Sequence, residues 1–191
     1  MVSFRSAYAP LFVTLMSASL VQAETCPQAP DHSASFQGLI AQVQQADNEG
    51  DARLISNKMW ELWADAPNEQ AQAILDRGMQ KRASYDFLGA LQEFDTLVDY
   101  CPQYAEGYNQ RAFVNYLRQD FEAAVVDLDR ALDLSPNHIA ALSGKALSLY
   151  GLGRIAEARD TLGLALDMNP WLPERGLAAP GAPLAPEGTD L

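Results

Sequence analysis

Between about residues 71 and 170, the apolar and small positions recur every 34 residues. Ala90, Ala124 and Ala158 keep this step, as do Phe87, Phe121 and Ile155, and likewise Ile74, Tyr108 and Leu142. Three more columns follow it: Gly78, Ala112 and Ala146; Phe94, Leu128 and Leu162; Leu97, Ala131 and Ala165. The small column marks a place where two helices must approach closely, and the large apolar columns mark space to be filled between neighbouring units. Pro102, Pro136 and Pro170 close each unit at the same step. Proline there cannot continue the helix before it but is tolerated where the next one begins. The pattern predicts stacked helical hairpins and an all-α fold.

This array resembles the tetratricopeptide (TPR) family. Its repeat places an aromatic residue or Leu early, Gly or Ala shortly after, Ala and an aromatic residue in the second helix, and a closing Pro. The resemblance implies a TPR solenoid of stacked antiparallel helix pairs, with three repeats at about 71–104, 105–138 and 139–170. Helices are expected near 71–84 and 87–100, 105–118 and 121–134, and 139–152 and 155–168. A divergent unit is expected over 36–67, because Pro67 lies 35 residues before Pro102 and Phe36, Leu39, Val43, Ile55, Met59 and Leu62 take core positions. The stretch Lys58-Met59-Trp60-Glu61-Leu62-Trp63 is also similar to small exported TPR proteins of Gram-negative bacteria.

The two ends differ in kind from the array. Residues 1–23 combine Arg5, an uncharged apolar run from Ala7 to Leu20 and a step ending Val21-Gln22-Ala23, the pattern of an export signal. The run is shorter than the roughly 18 residues a spanning helix needs, so cleavage between Ala23 and Glu24 is expected rather than a membrane anchor. The competing lipid attachment at Cys26 wants small residues directly before it, whereas Glu24 and Thr25 stand there. Residues 24–35 form an extended lead-in. From Trp171 to Leu191 the prolines and glycines at 173, 176, 180, 181, 183, 186 and 188 predict a disordered tail. The last repeat then lacks the polar capping helix that usually hides an end face.

Composition narrows the function. The 191 residues are 48% hydrophobic and carry 13 Lys+Arg against 25 Asp+Glu, a net charge of −12. A surface that binds phosphate needs clustered cations, so nucleic acid is excluded as a partner class. Cys26, Cys101, His32 and His138 lack the close pairs of a structural zinc site, and no metal or cofactor is expected. Catalysis would have to recruit His32, in the lead-in, or His138, in the turn after Pro136; neither is expected in a formed pocket, so the chain reads as non-enzymatic. Asp99, Asp133 and Asp167 repeat at 34 and read as solvated surface. The basic column Arg77, Arg111 and Lys145 reads as ion pairs within each repeat, with Glu93 and Asp127 sixteen residues on from the first two, rather than as an anion ladder.

Carrying the inner stripe of the TPR arrangement onto this chain selects Leu75, Met79 and Arg82; Asn109, Phe113 and Tyr116; and Ser143, Leu147 and Tyr150. Tyr and Met give broad, adaptable contact, suited to a loosely specified peptide, although Phe113 and Leu147 read equally as packing between helices. The Lys/Arg/Asn clamp some TPR domains use on a terminal carboxylate is missing, since Ala140 and Gly144 stand at the corresponding third-repeat positions. The resemblance thus implies an exported adaptor or assembly factor holding a segment of a protein partner in a concave groove. The rivals are a structural subunit, homo-oligomeric or part of an envelope complex, joined through an uncapped C-terminal end, and an accessory in cell-wall or cytochrome maturation. Cys26 and Cys101, the only two thiols, either form a disulfide strapping the lead-in across the first two units or remain free.

Overall fold

A computed structural model describes residues 1, 25–186 and 188. The export signal beyond Met1 and the cleavage site at Ala23 and Glu24 lie outside the described residues. The described chain is all-α: α1 Ser33–Gln44, α2 Glu49–Trp63, α3 Glu69–Ala83, α4 Phe87–Tyr100, α5 Ala105–Leu117, α6 Phe121–Leu134, α7 Ile139–Gly151 and α8 Ile155–Met168, then a short 3-10 helix, Pro173–Ala178. No described helix is long and apolar enough to cross a membrane.

Local chemistry starts these helices. The side chains of Asn68, Asp86 and Asp120 accept from the backbone N–H of Ala71, Gly89 and Ala123, supplying N-terminal partners that the helices cannot supply themselves. Within each pair the first helix turns into the second through a left-handed residue, Tyr85 (φ 63°), Gln119 (φ 63°) and Gly153 (φ 73°), again 34 apart. The third repeat uses the residue that adopts this conformation at least cost.

The pairs α3–α4, α5–α6 and α7–α8 stack as a TPR solenoid. The small column sits where the reading placed it. Phe94 is fully buried, and a Cβ at position 78 would lie 2.4 Å from its ring, so the bulkiest side chain of its column faces the residue with none. In the next two repeats Leu128 and Leu162 share clusters with Ala112 and Ala146. A smaller knob there leaves room for a methyl group.

The divergent pair departs from the array. Its apolar residues Leu39, Val43, Ala52 and Met59 form one cluster with Ile139 of α7 and with Met168, Trp171 and Leu172 at the end of α8. Gln44 donates to the carbonyl of Asp167 at 2.7 Å, and Asn169 donates to Ser56 Oγ at 3.1 Å. The α1–α2 hairpin therefore runs back along the inter-repeat turns and clasps the last repeat, where a stacked fourth unit was expected. The lead-in returns along the same edge, and Cys26 is bonded to Cys101, with Cα atoms 5.2 Å apart.

The tail also requires correction. Its described part, 171–186, is folded. Leu177, Ala178 and Leu184 pack on the cluster of Val125, Ala146, Leu149, Ala158 and Leu162, and Leu184 donates its N–H to the carbonyl of Leu177 at 2.8 Å. Prolines and glycines here set turns between apolar residues that share no period, so composition concealed their packing. The C-terminal face expected to be uncapped is covered. Leu184 is 1% exposed; its replacement by alanine is expected to lower unfolding free energy by about 2–3 kcal/mol in urea titration, and a loss below about 0.5 kcal/mol would detach the tail from the core.

Candidate functional site

The first helices of the repeats, α3, α5 and α7, line the inner wall. Six of the nine residues selected from the sequence, Arg82, Asn109, Phe113, Tyr116, Ser143 and Leu147, line one cavity of about 320 Å³. The clamp positions Ala140 and Gly144 line it too. Its far side is built by residues the inner stripe did not contain: Trp60 from α2, and Leu172, Pro173 and Glu174 from the chain's end. The remaining three lie elsewhere. Leu75 is fully buried in a cluster with Ala66, Tyr104 and Val114, because the α2–α3 link and the start of α5 cover it. Met79 packs against that cluster, and Tyr150 is 37% exposed and does not line the cavity.

Beneath the cavity runs a buried polar chain. The Arg82 guanidinium lies 4.6 Å from the Phe113 ring centroid and donates to Gln110 Oε1. Burial pulls its pKa down while the Glu106 charge opposes this, and an arginine remains protonated under such a shift. Gln110 and Asn109 both donate to Glu106, which is 2% exposed. His138 completes the set: its Nδ1 accepts from the Ala141 N–H, which places the proton on Nε2, and Nε2 donates to Glu106 Oε2 at 2.8 Å. Each donor aimed at the carboxylate comes from a side chain fixed on α5 or at the start of α7.

Above His138 the Trp63 indole stacks at 4.3 Å between centroids, and Phe36 stacks on Trp63 at 5.1 Å. Tyr104 donates its phenol proton to the Trp63 carbonyl at 2.7 Å, and burial pushes that phenol's pKa up. The expectation that neither histidine would meet a formed pocket is corrected by this geometry. Both line a second cavity of about 720 Å³ between the lead-in and the turns before α5 and α7. His32 Nε2 lies 2.7 Å from Asp65 Oδ2, and His138 is committed to capping and to Glu106. Each imidazole holds elements together.

The basic column forms ion pairs within the repeat at Arg77 and Arg111, but the expectation fails at Lys145, which pairs with α6 of the preceding repeat. Arg77 and Lys81 pair with Glu93 at 3.0 and 2.7 Å, Arg111 with Asp127 and Asp95 at 2.6 and 2.9 Å, and Lys145 with Asp129 at 2.6 Å. Hydrogen bonding from Lys81, with Arg77 adding to it, holds the Glu93 carboxyl below the ordinary glutamate range. That pair's stabilisation is therefore present above the unfolded glutamate pKa and is lost as pH falls through the lowered one. Asp99, Asp133 and Asp167 are exposed.

Residues 116–170 match the family model described as tetratricopeptide repeat. Tetratricopeptide repeat protein 36 homolog of Nematostella vectensis is 43% identical over 65 residues, covering 34% of this chain and 36% of that protein. A TPR repeat-containing protein of Rhizobium etli is 26% identical over 121 residues, covering 60% of this chain and 56% of that protein. The chain thus spans between about a third and just over half of these relatives. Among solved structures, the first TPR of Spaghetti (RPAP3), bound to an HSP90 peptide, superposes with a TM-score of 0.55 at 19% identity, over 57% of this chain and 87% of that one. The Arabidopsis OM64 TPR domain gives 0.56 at 18% identity, over 58% and 91%. At these identities the likeness is one of fold.

Proposed function

Starting from a chain that belongs to the tetratricopeptide-repeat family, we propose that it is an exported, non-enzymatic adaptor or assembly factor that holds a segment of a partner protein against its concave wall. One observation carries the reading: six of the nine inner-stripe residues line a single preformed cavity walled by Trp60, Phe113, Tyr116 and Leu147. A wall held by a buried polar chain and by the clasp is already ordered, so binding fixes mainly the ligand. Export to the periplasm or outside the cell is supported by the pattern of residues 1–23 and by the Cys26–Cys101 bond, since disulfides persist in oxidising compartments. The neighbour bound to an HSP90 peptide uses the same fold. Here Ala140 and Gly144 replace the clamp, which points away from ligands held by a terminal carboxylate. Assembly through a bare C-terminal end loses its premise, because the tail covers that end.

Affinity capture from periplasmic extract tests this. Tyr116→Ala is expected to weaken capture at least tenfold, about 1.4 kcal/mol, with helical circular dichroism unchanged. Tyr150→Ala, outside the cavity, is expected to leave capture as it was. Equal losses from both variants, or a loss only alongside unfolding, would defeat the groove as the binding site.

A further inference from the structure

The concave cavity sets apolar walls beside a polar side, where Arg82, Asn109, Gln110 and Ser143 line it. Trp60, Phe113, Leu147 and Leu172 form the apolar walls, and Glu174 also lines the cavity. The Oε2 atom of Glu174 is buried and has no hydrogen-bond partner among the described residues. A carboxylate oxygen taken out of water without a donor is destabilised until a donor arrives. The neighbouring cations are already engaged. Arg175 donates to the carbonyls of Trp171 and Leu172 and pairs with Glu49 at 3.1 Å, while Arg82 is turned to Gln110 and the Phe113 ring. Pro173 opens the 3-10 helix that carries Glu174.

Resting on the groove reading above, we propose that this pocket selects a segment bearing an apolar side chain next to a cationic one, a lysine or arginine. The cation is received by Glu174 while the apolar side chain enters between Trp60 and Phe113. Size supports a short anchor, since about 320 Å³ holds one or two side chains rather than a length of extended chain. Aromatic walls attract a cation as well as an apolar group. The net charge of −12 draws basic segments toward the whole surface, and Glu174 supplies the local complement.

Three acetylated and amidated heptapeptides, identical except for lysine, glutamine or glutamate after a central phenylalanine, test the assignment by calorimetric titration of the full protein. The lysine peptide is expected to bind at least tenfold more tightly than the glutamate peptide. Glu174→Gln is expected to bring the two within threefold while leaving circular dichroism unchanged. Discrimination that survives in Glu174→Gln overturns the assignment of Glu174. Equal binding of all three, abolished by Tyr116→Ala, overturns the cation requirement and leaves the groove standing. Failure of every peptide to bind at millimolar concentration removes both.

Discussion

Glu106→Ala is expected to lower the unfolding free energy by about 3–5 kcal/mol, since three buried neutral donors lose their acceptor at about 1–3 kcal/mol apiece. Glu106 accepts from His138, Asn109 and Gln110 at a position 2% exposed, and Gln110 in turn receives Arg82. Deleting the carboxylate leaves three donors facing a cavity, each lacking the acceptor that justified its burial. It also frees the His138 ring on which Trp63 stacks, so the clasp loosens with it. Glu106→Gln keeps volume and one acceptor oxygen but turns an amide N–H₂ toward existing donors, and its loss should fall between wild type and alanine. Urea titration followed by circular dichroism reads both. A loss below about 1 kcal/mol for alanine would show that the chain of side chains is not closed in solution.

Replacing both cysteines by alanine is expected to cost about 4.5 kcal/mol by the chain-entropy relation, because the bond joins residues 75 apart in sequence. Cys101 is 1% exposed and packs with Leu97 and Tyr104, so the alanine variant also loses sulfur contacts. Reduction of the unmodified protein isolates the bond itself. A drop in the denaturation midpoint with reductant, matched by most of the variant's loss, assigns the stabilisation to the crosslink. An unchanged midpoint in reductant, with two thiols alkylated beforehand, would mean that the bond is not formed in the isolated protein.

The repeat could be read from residues because its physics is local and recurs. A column of small residues facing a column of large ones needs no tertiary information, and Gly78 opposite Phe94 has the geometry that the 34-residue step implied. The same register placed Arg111 opposite Asp127. The clasp was not legible, because an amphipathic helix announces an apolar face and not its occupant. Leu39, Val43 and Met59 satisfy a stacked fourth unit or a returning hairpin equally well. Glu106 was missed because an acid in the first turn of a helix ordinarily belongs to solvent. Its three donors come from Asn109, Gln110 and a histidine 32 residues away. Leu184 was hidden among prolines, with no period to betray its burial.

Stacked repeats ordinarily behave as a line of nearest neighbours, each end free to fray without consulting the other. The clasp converts that line into a loop. Hydrogen bonds from Gln44 to Asp167, from Asn169 to Ser56 and from Arg175 to Glu49 join positions 123, 113 and 126 apart. Opening α1 therefore exposes part of the seat of α8, and loosening α8 removes the seat of α1, so the termini melt together rather than separately. Long-range closure also raises contact order above that of a plain helical stack, and the folding chain must bring its two ends together before these contacts contribute. A protein built this way exchanges the gradual, springlike compliance of an open solenoid for a single cooperative transition.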